Sequence, residues 1–181
     1  MKLSRRRFLQ VGAAGTVVLV AAHLLNRGGA VPPLGSLDLK AIDGKSASLI
    51  AALAPVILDG ALPDDAVSRK VAINEVVEAF DRGLAGLSPA VQDELQQLLS
   101  LLTFAPTRAL IGGVWKPWHE ASAIEVAGFL TDWRNSRFDL LRSGYQALKQ
   151  LLQACWYGNP LAWGKIGFSL PPLAKELRGK P

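Results

Sequence analysis

Two histidines, one cysteine and one methionine leave this chain of 181 residues short of the side chains on which most reactions depend. His23 lies in an N-terminal leader, so His119 alone remains beyond it. Zinc, haem and iron–sulfur sites need several soft or anionic ligands converging on one point, and one His with one Cys supplies almost none. No Cys-x-x-Cys-His haem attachment is present, nor any Gly-x-Ser-x-Gly elbow, and a serine triad would rest wholly on His119. No run of alternating residues is long enough for a strand. Gly83-Leu84-Ala85-Gly86 and Gly112-Gly113 therefore read as helix ends rather than phosphate cradles. Cys155 cannot close an internal disulfide, which leaves a buried helix-borne thiol or a bridge to a partner subunit. Charge is scarce too, at 19% of residues. The pairs Asp64-Asp65 and Asp93-Glu94 fall at turns and helix starts, where the helix dipole explains them.

What is present begins with the leader. Ser4-Arg5-Arg6-Arg7-Phe8-Leu9-Gln10 has the pattern of a twin-arginine signal peptide, in which Ser4, Arg5, Arg6, Phe8 and Leu9 are the residues read by the translocase. An apolar run of 15 residues follows, Val11 to Leu25, rich in Ala and Gly. A membrane span needs about 20 strongly apolar residues, so a cleaved signal is favoured over an uncut anchor. Gly28 and Ala30 have the spacing of a signal-peptidase site. The expected location is the periplasm, with membrane association if the leader stays. The twin-arginine route carries folded proteins, which a bound cofactor, or a partner holding one, usually requires. The leader also accounts for the pI of about 9.6, because five of the 20 basic residues lie in it and the remaining 15 balance 15 acidic ones. No basic stripe with interleaved aromatics survives its removal, so nucleic acid is excluded as a partner.

Beyond Ser36 the spacing of apolar residues is helical. It predicts an all-α, compact bundle of five to six helices, with residues 1–30 as leader, 31–45 as linker, 46–174 as the helical domain and 175–181 as a tail. A first helix over Ser46 to Leu58 contains Pro55 late in its course. A second begins near Asp65, with Val67, Val71, Val77, Phe80 and Leu84 inward, and with Arg69, Lys70, Glu75, Glu78, Asp81 and Arg82 outward. Ser88-Pro89 opens a third helix carrying Val91, Leu95, Leu98, Leu99 and Leu102, which Pro106 ends. A short helix over Thr107 to Ile111 and an irregular stretch from Val114 to Glu120 come next. Ser122-Ala123-Ile124-Glu125 is a capping box for a helix with Val126, Phe129, Leu130 and Trp133 inward. The last helix runs from Phe138 to Trp156.

Aromatic residues also stand outside the core pattern. Trp115 and Trp118 lie in a Gly- and Pro-containing stretch, and such segments lie at surfaces, where tryptophan is enriched in subunit contacts. Trp156 reads as a cap on the core. The run Cys155-Trp156-Tyr157-Gly158-Asn159-Pro160-Leu161-Ala162-Trp163-Gly164-Lys165-Ile166-Gly167-Phe168 closes the chain before Ser169-Leu170-Pro171-Pro172. It resembles the closing motif of the gluconate 2-dehydrogenase subunit 3 family, in a divergent form lacking the glycine-rich insertion and with Ser169-Leu170 in place of Pro-Gly. The resemblance implies a small, non-catalytic subunit with no cofactor of its own. Such a subunit helps assemble and co-exports a large FAD-dependent dehydrogenase of the glucose–methanol–choline type, and a multihaem c-type cytochrome often takes the electrons. Trp115, Trp118, Tyr157, Asn159, Pro160, Trp163 and Phe168 are then the candidates for forming or shaping the partner surface. Two other readings stand beside it: an independent periplasmic enzyme using His119 with a carboxylate, and a membrane-tethered binding module.

Overall fold

A computed structural model describes residues 37–165 and Gly167. Ser4, Arg5, Arg6, Phe8 and Leu9 of the leader, together with Phe168 and the 175–181 tail, lie outside the described residues. The described chain is all helical. Its elements are α1 (Gly44–Ile57), α2 (Ala66–Ala85), α3 (Pro89–Thr103), α4 (Ala105–Leu110), a 3-10 turn (Trp118–Glu120), α5 (Ala123–Arg134), α6 (Asp139–Tyr157) and α7 (Pro160–Trp163). The expectation of five to six helices misses α7, a single turn that Asn159 caps and Pro160 opens.

Helix α1 is the hub, touching α2, α3, α5, α6 and the 3-10 turn. Its sequence is apolar nearly all round, as burial on several sides requires, and Leu49, Ile50, Leu53 and Ala54 are fully buried. Pro55 does not interrupt it, because only the last turn follows. Against this helix pack Val76, Val77 and Phe80 of α2, Leu99 and Leu102 of α3, Val126 and Phe129 of α5, and Leu148, Leu152 and Trp156 of α6. Each large side chain taken fully from water contributes about 1.5–3 kcal/mol.

Local signals set the ends. The Asp43 and Asp65 side chains accept the backbone N–H groups of Ser46 and Ser68, each at 2.8 Å. The predicted capping box is present: the Glu125 carboxylate accepts the Ser122 backbone N–H at 2.8 Å, and the Ser122 hydroxyl accepts from the Glu125 N–H at 3.3 Å. That Ser122 N–H, and then its hydroxyl, hold the Glu125 carboxyl below its ordinary value. Pro106 lies in the first turn of α4 and is tolerated because no intrahelical donor is needed there. It does leave the Leu102 carbonyl without its usual i+4 donor. The indole Nε1–H of Trp118 supplies one at 2.8 Å, and the Thr107 hydroxyl takes the neighbouring Leu101 carbonyl.

Three sequence expectations are corrected. Val67, Val71 and Val91 are exposed rather than inward. Asp81, assigned to the solvent face of α2, is 4% exposed. Its carboxylate accepts three successive backbone N–H groups, from Lys40 (3.1 and 3.0 Å to its two oxygens), Ala41 (2.7 Å) and Ile42 (2.9 Å). Burial pushes the Asp81 carboxyl up, but these donors, with Arg82 alongside, outweigh it and hold it below the ordinary value. The segment expected to be a linker is therefore fastened to the bundle over its described part, with Leu37, Leu39 and Ala41 packed on the core and Ile42 within it.

Candidate functional site

The segment from Ile111 to Glu120 runs along α5 in the opposite direction. Trp133 Nε1 donates to the Ile111 carbonyl at 3.2 Å, Gly112 lies against the Phe129 ring, and Lys116 Nζ stands 4.0 Å from Glu125. Gly112 approaches α4 so closely that a Cβ there would lie 2.6 Å from the Arg108 carbonyl oxygen, and Gly113 turns the chain at φ 66°. From inside, the buried Arg108 donates to the carbonyls of Val114 (3.2 Å) and Trp115 (3.4 Å). Burial lowers its guanidinium pKa from the ordinary value. Val114 and Trp118 are buried on either side, Trp118 meeting the Phe129 ring edge-on at 5.3 Å. A segment pinned at so many points throws the side chain between those two outward. Trp115 is 75% exposed.

Other large apolar side chains are also exposed. Leu110 is 80% exposed, and Ile111, Phe138 and Leu140 are exposed as well. Trp133 joins these parts: its indole holds Ile111, and its ring lies 2.8 Å from where a Cβ on Gly144 would be, one turn after Leu140. The start of α6 thus shares an end of the bundle with α4 and the segment after it. Exposed apolar clusters of this kind mark contact sites.

On the other side of the 3-10 turn a groove of about 610 Å³ opens between α1, α2 and the start of α5. Its floor is made of small residues, Ser48, Ala51, Ala52 and Pro55, and its α2 wall runs from Ala66 to Asn74. Arg69, Lys70 and His119 bring polar groups to the rim. His119 Nε2 lies 3.3 Å from Glu120 Oε1. Among the described residues, no group of three or more His, Cys, Asp or Glu side chains is placed to hold a metal ion. None of the described helices is long and apolar enough to cross a membrane.

The predicted partner residues separate into two groups. Trp115 is at the surface as expected. Trp118 is not: at 3% exposure it is a core residue, and it shapes the surface only by holding the loop from behind. Its position four residues before the capping box, with Pro106 upstream, carries that role, but only once α3 and the loop are known to meet. Around the last turn, Tyr157 and Pro160 are exposed, and the Asn159 side chain donates to Glu75 Oε2 at 3.1 Å while accepting the Leu161 N–H at 2.9 Å. Trp163 packs against the core and donates its Nε1–H to the Tyr157 carbonyl at 3.0 Å. Lys165 reaches the Leu62 carbonyl at 2.8 Å, tying this turn to the connection between α1 and α2. Cys155 is a partly buried, free thiol on α6, and burial pushes it up to about 11. Sequence spacing does not reveal the groove, because it is assembled from residues 48–56, 66–74 and 118–126. Comparison of the chain with protein-family models, with curated proteins and with solved structures returns no match.

Proposed function

We propose that this chain is a non-catalytic small subunit that binds, helps assemble and co-exports an FAD-dependent alcohol or sugar dehydrogenase of the glucose–methanol–choline type. The observation that carries the reading is Trp115, held out in water on a segment that Arg108, Trp118 and Trp133 pin to the bundle, with Leu110 and Ile111 also exposed a few residues before it. A fixed, exposed tryptophan with apolar neighbours is the type of anchor on which binding energy concentrates. Two sequence features direct the reading to this partner class: the twin-arginine pattern at Ser4–Leu9 and the closing run from Cys155 to Phe168. FAD belongs to the partner, and the complex works in the periplasm, where a c-type cytochrome is the natural acceptor of its electrons.

The test replaces Arg5 and Arg6 by Lys and follows the large flavoprotein that this reading expects a neighbouring reading frame to encode. Its periplasmic level should fall at least tenfold; export at the normal level ends the escort reading. One observation favours a rival enzyme reading, namely His119 beside Glu120 at the groove. That reading requires turnover by the purified chain alone, abolished in His119→Ala.

A further inference from the structure

We infer that the groove between α1, α2 and the 3-10 turn receives an acidic amphipathic helix of the larger partner, an inference that rests on the escort reading above. The shape comes first. The α2 wall extends from Ala66 to Asn74, about 12 Å of helix axis, which is the length of two turns of a second helix. Ser48, Ala51 and Ala52 on the floor let another backbone come close. Helix-in-groove recognition uses such a trough, with apolar anchors spaced at i, i+4 and i+7.

Charge selects the occupant. Arg69 and Lys70 stand on the rim with no ion pair among the described residues, while the adjacent Glu120 is engaged by His119. An incoming helix must therefore bring carboxylates on its flank, which also steers its approach. The ends of this same chain are poor candidates. Residues 1–36 carry Lys2, Arg5, Arg6, Arg7 and Arg27 with no acidic residue, and residues 168–181 carry Lys175, Arg178 and Lys180 against Glu176. Both would bring like charge to the rim.

The surface also continues beyond the groove. At about 100° per residue, the exposed Val67 and Val71 fall on α2 between Asn74, which lines the groove, and Glu75, which holds Asn159. An apolar lip thus leads from the groove toward the turn that carries Tyr157 and Pro160.

The test co-expresses the full chain with the large flavoprotein that the escort reading expects a neighbouring reading frame to encode, and recovers the complex through a tag on the flavoprotein. Arg69→Glu with Lys70→Glu should lower the co-purified small chain at least tenfold, as should Ala52→Trp, which fills the floor. Melting of the variants alone checks that they fold, and Lys70 is exposed, so its reversal does not disturb the core. A photo-crosslinking residue at Val67 should form its adduct on a flavoprotein helix with at least two carboxylates. Replacing those carboxylates by Lys should restore binding to the charge-reversed chain. Undiminished binding by the folded variants overturns the groove and leaves the escort reading intact. So does an adduct on a basic segment, on lipid, on a second copy or on this chain's own ends. Failure of the unaltered chains to associate overturns both.

Discussion

Trp118 and Trp156 are alike in burial, at 3% and 1% exposure, and unlike in what their indole N–H groups meet. Trp118 supplies the donor that Pro106 withholds from Leu102, at 2.8 Å. Trp156 Nε1 is buried with no hydrogen-bond partner among the described residues. Replacing either residue by Phe removes the same atoms and leaves a similar void. In Trp118→Phe, however, a carbonyl loses its donor, whereas in Trp156→Phe an unpaired donor disappears. A net hydrogen bond is worth about 1 kcal/mol, and an unsatisfied buried group costs about 1–3 kcal/mol. Urea unfolding should therefore find Trp118→Phe the more damaging by about 2 kcal/mol. Equal losses would mean that the indole bond to Leu102 contributes nothing. The aromatic content of the 115–118 stretch was legible in the sequence, but the division of labour within it was not. Which tryptophan turns inward is decided by a proline twelve residues upstream of Trp118 and by a helix end that only the fold brings near.

Elements were easier to foresee than their contacts. The 3.6-residue spacing in α6 and the Ser122-to-Glu125 box in α5 mark their helices directly, because both signals are local. The reading of α2 failed at Val67 and Val71, since its first two turns project along the groove instead of over the core, and periodicity cannot say where a helix leaves its neighbours. Small residues at crossings are equally silent in sequence. Gly144 in α6 faces the Trp133 ring, and a Cβ there would stand 2.8 Å from Cζ3 and 3.7 Å from Leu98 Cδ1. Ala has a helix propensity better than Gly by about 1 kcal/mol, so a solvent-facing Gly144→Ala change would stabilise. Here the ring is buried and tied to Ile111, and overpacking costs about 1–3 kcal/mol. The net expectation is a loss of about 1 kcal/mol with α5 and α6 pushed apart. Unfolding midpoints decide the sign, and a gain in stability would show that the ring yields freely.

At the scale of the whole molecule, the contact between Asp81 and residues 40–42 joins the N-terminal side of the chain to the C-terminal part of α2. Nothing local announces it, because an aspartate on the polar side of a helix is ordinarily hydrated and the three donors lie about forty positions away. Hydrogen bonds to a charged group contribute about 1.5–3 kcal/mol, so Asp81→Asn, which offers one acceptor oxygen in place of two, should cost about 2 kcal/mol at pH 7. The folded-state pKa of Asp81 is depressed. Its contribution is therefore present above the unfolded value of about 3.9 and is lost as pH falls through the folded value. Unfolding of wild type and variant should differ at pH 7, and the difference should shrink as the pH falls below about 3.9. A gap that persists undiminished in acid would assign the effect to shape and not to charge.

The same contact bears on what happens when the chain is towed from its N-terminal side. A pull arriving along residues 37–39 meets Asp81 before it meets α1. The three N–H groups of residues 40–42 share one carboxylate, so tension falls on them together instead of one after another. Such a clasp passes force straight to α2 in the interior and spares the first turn of α1 from being peeled away, so the body behind it moves as one piece.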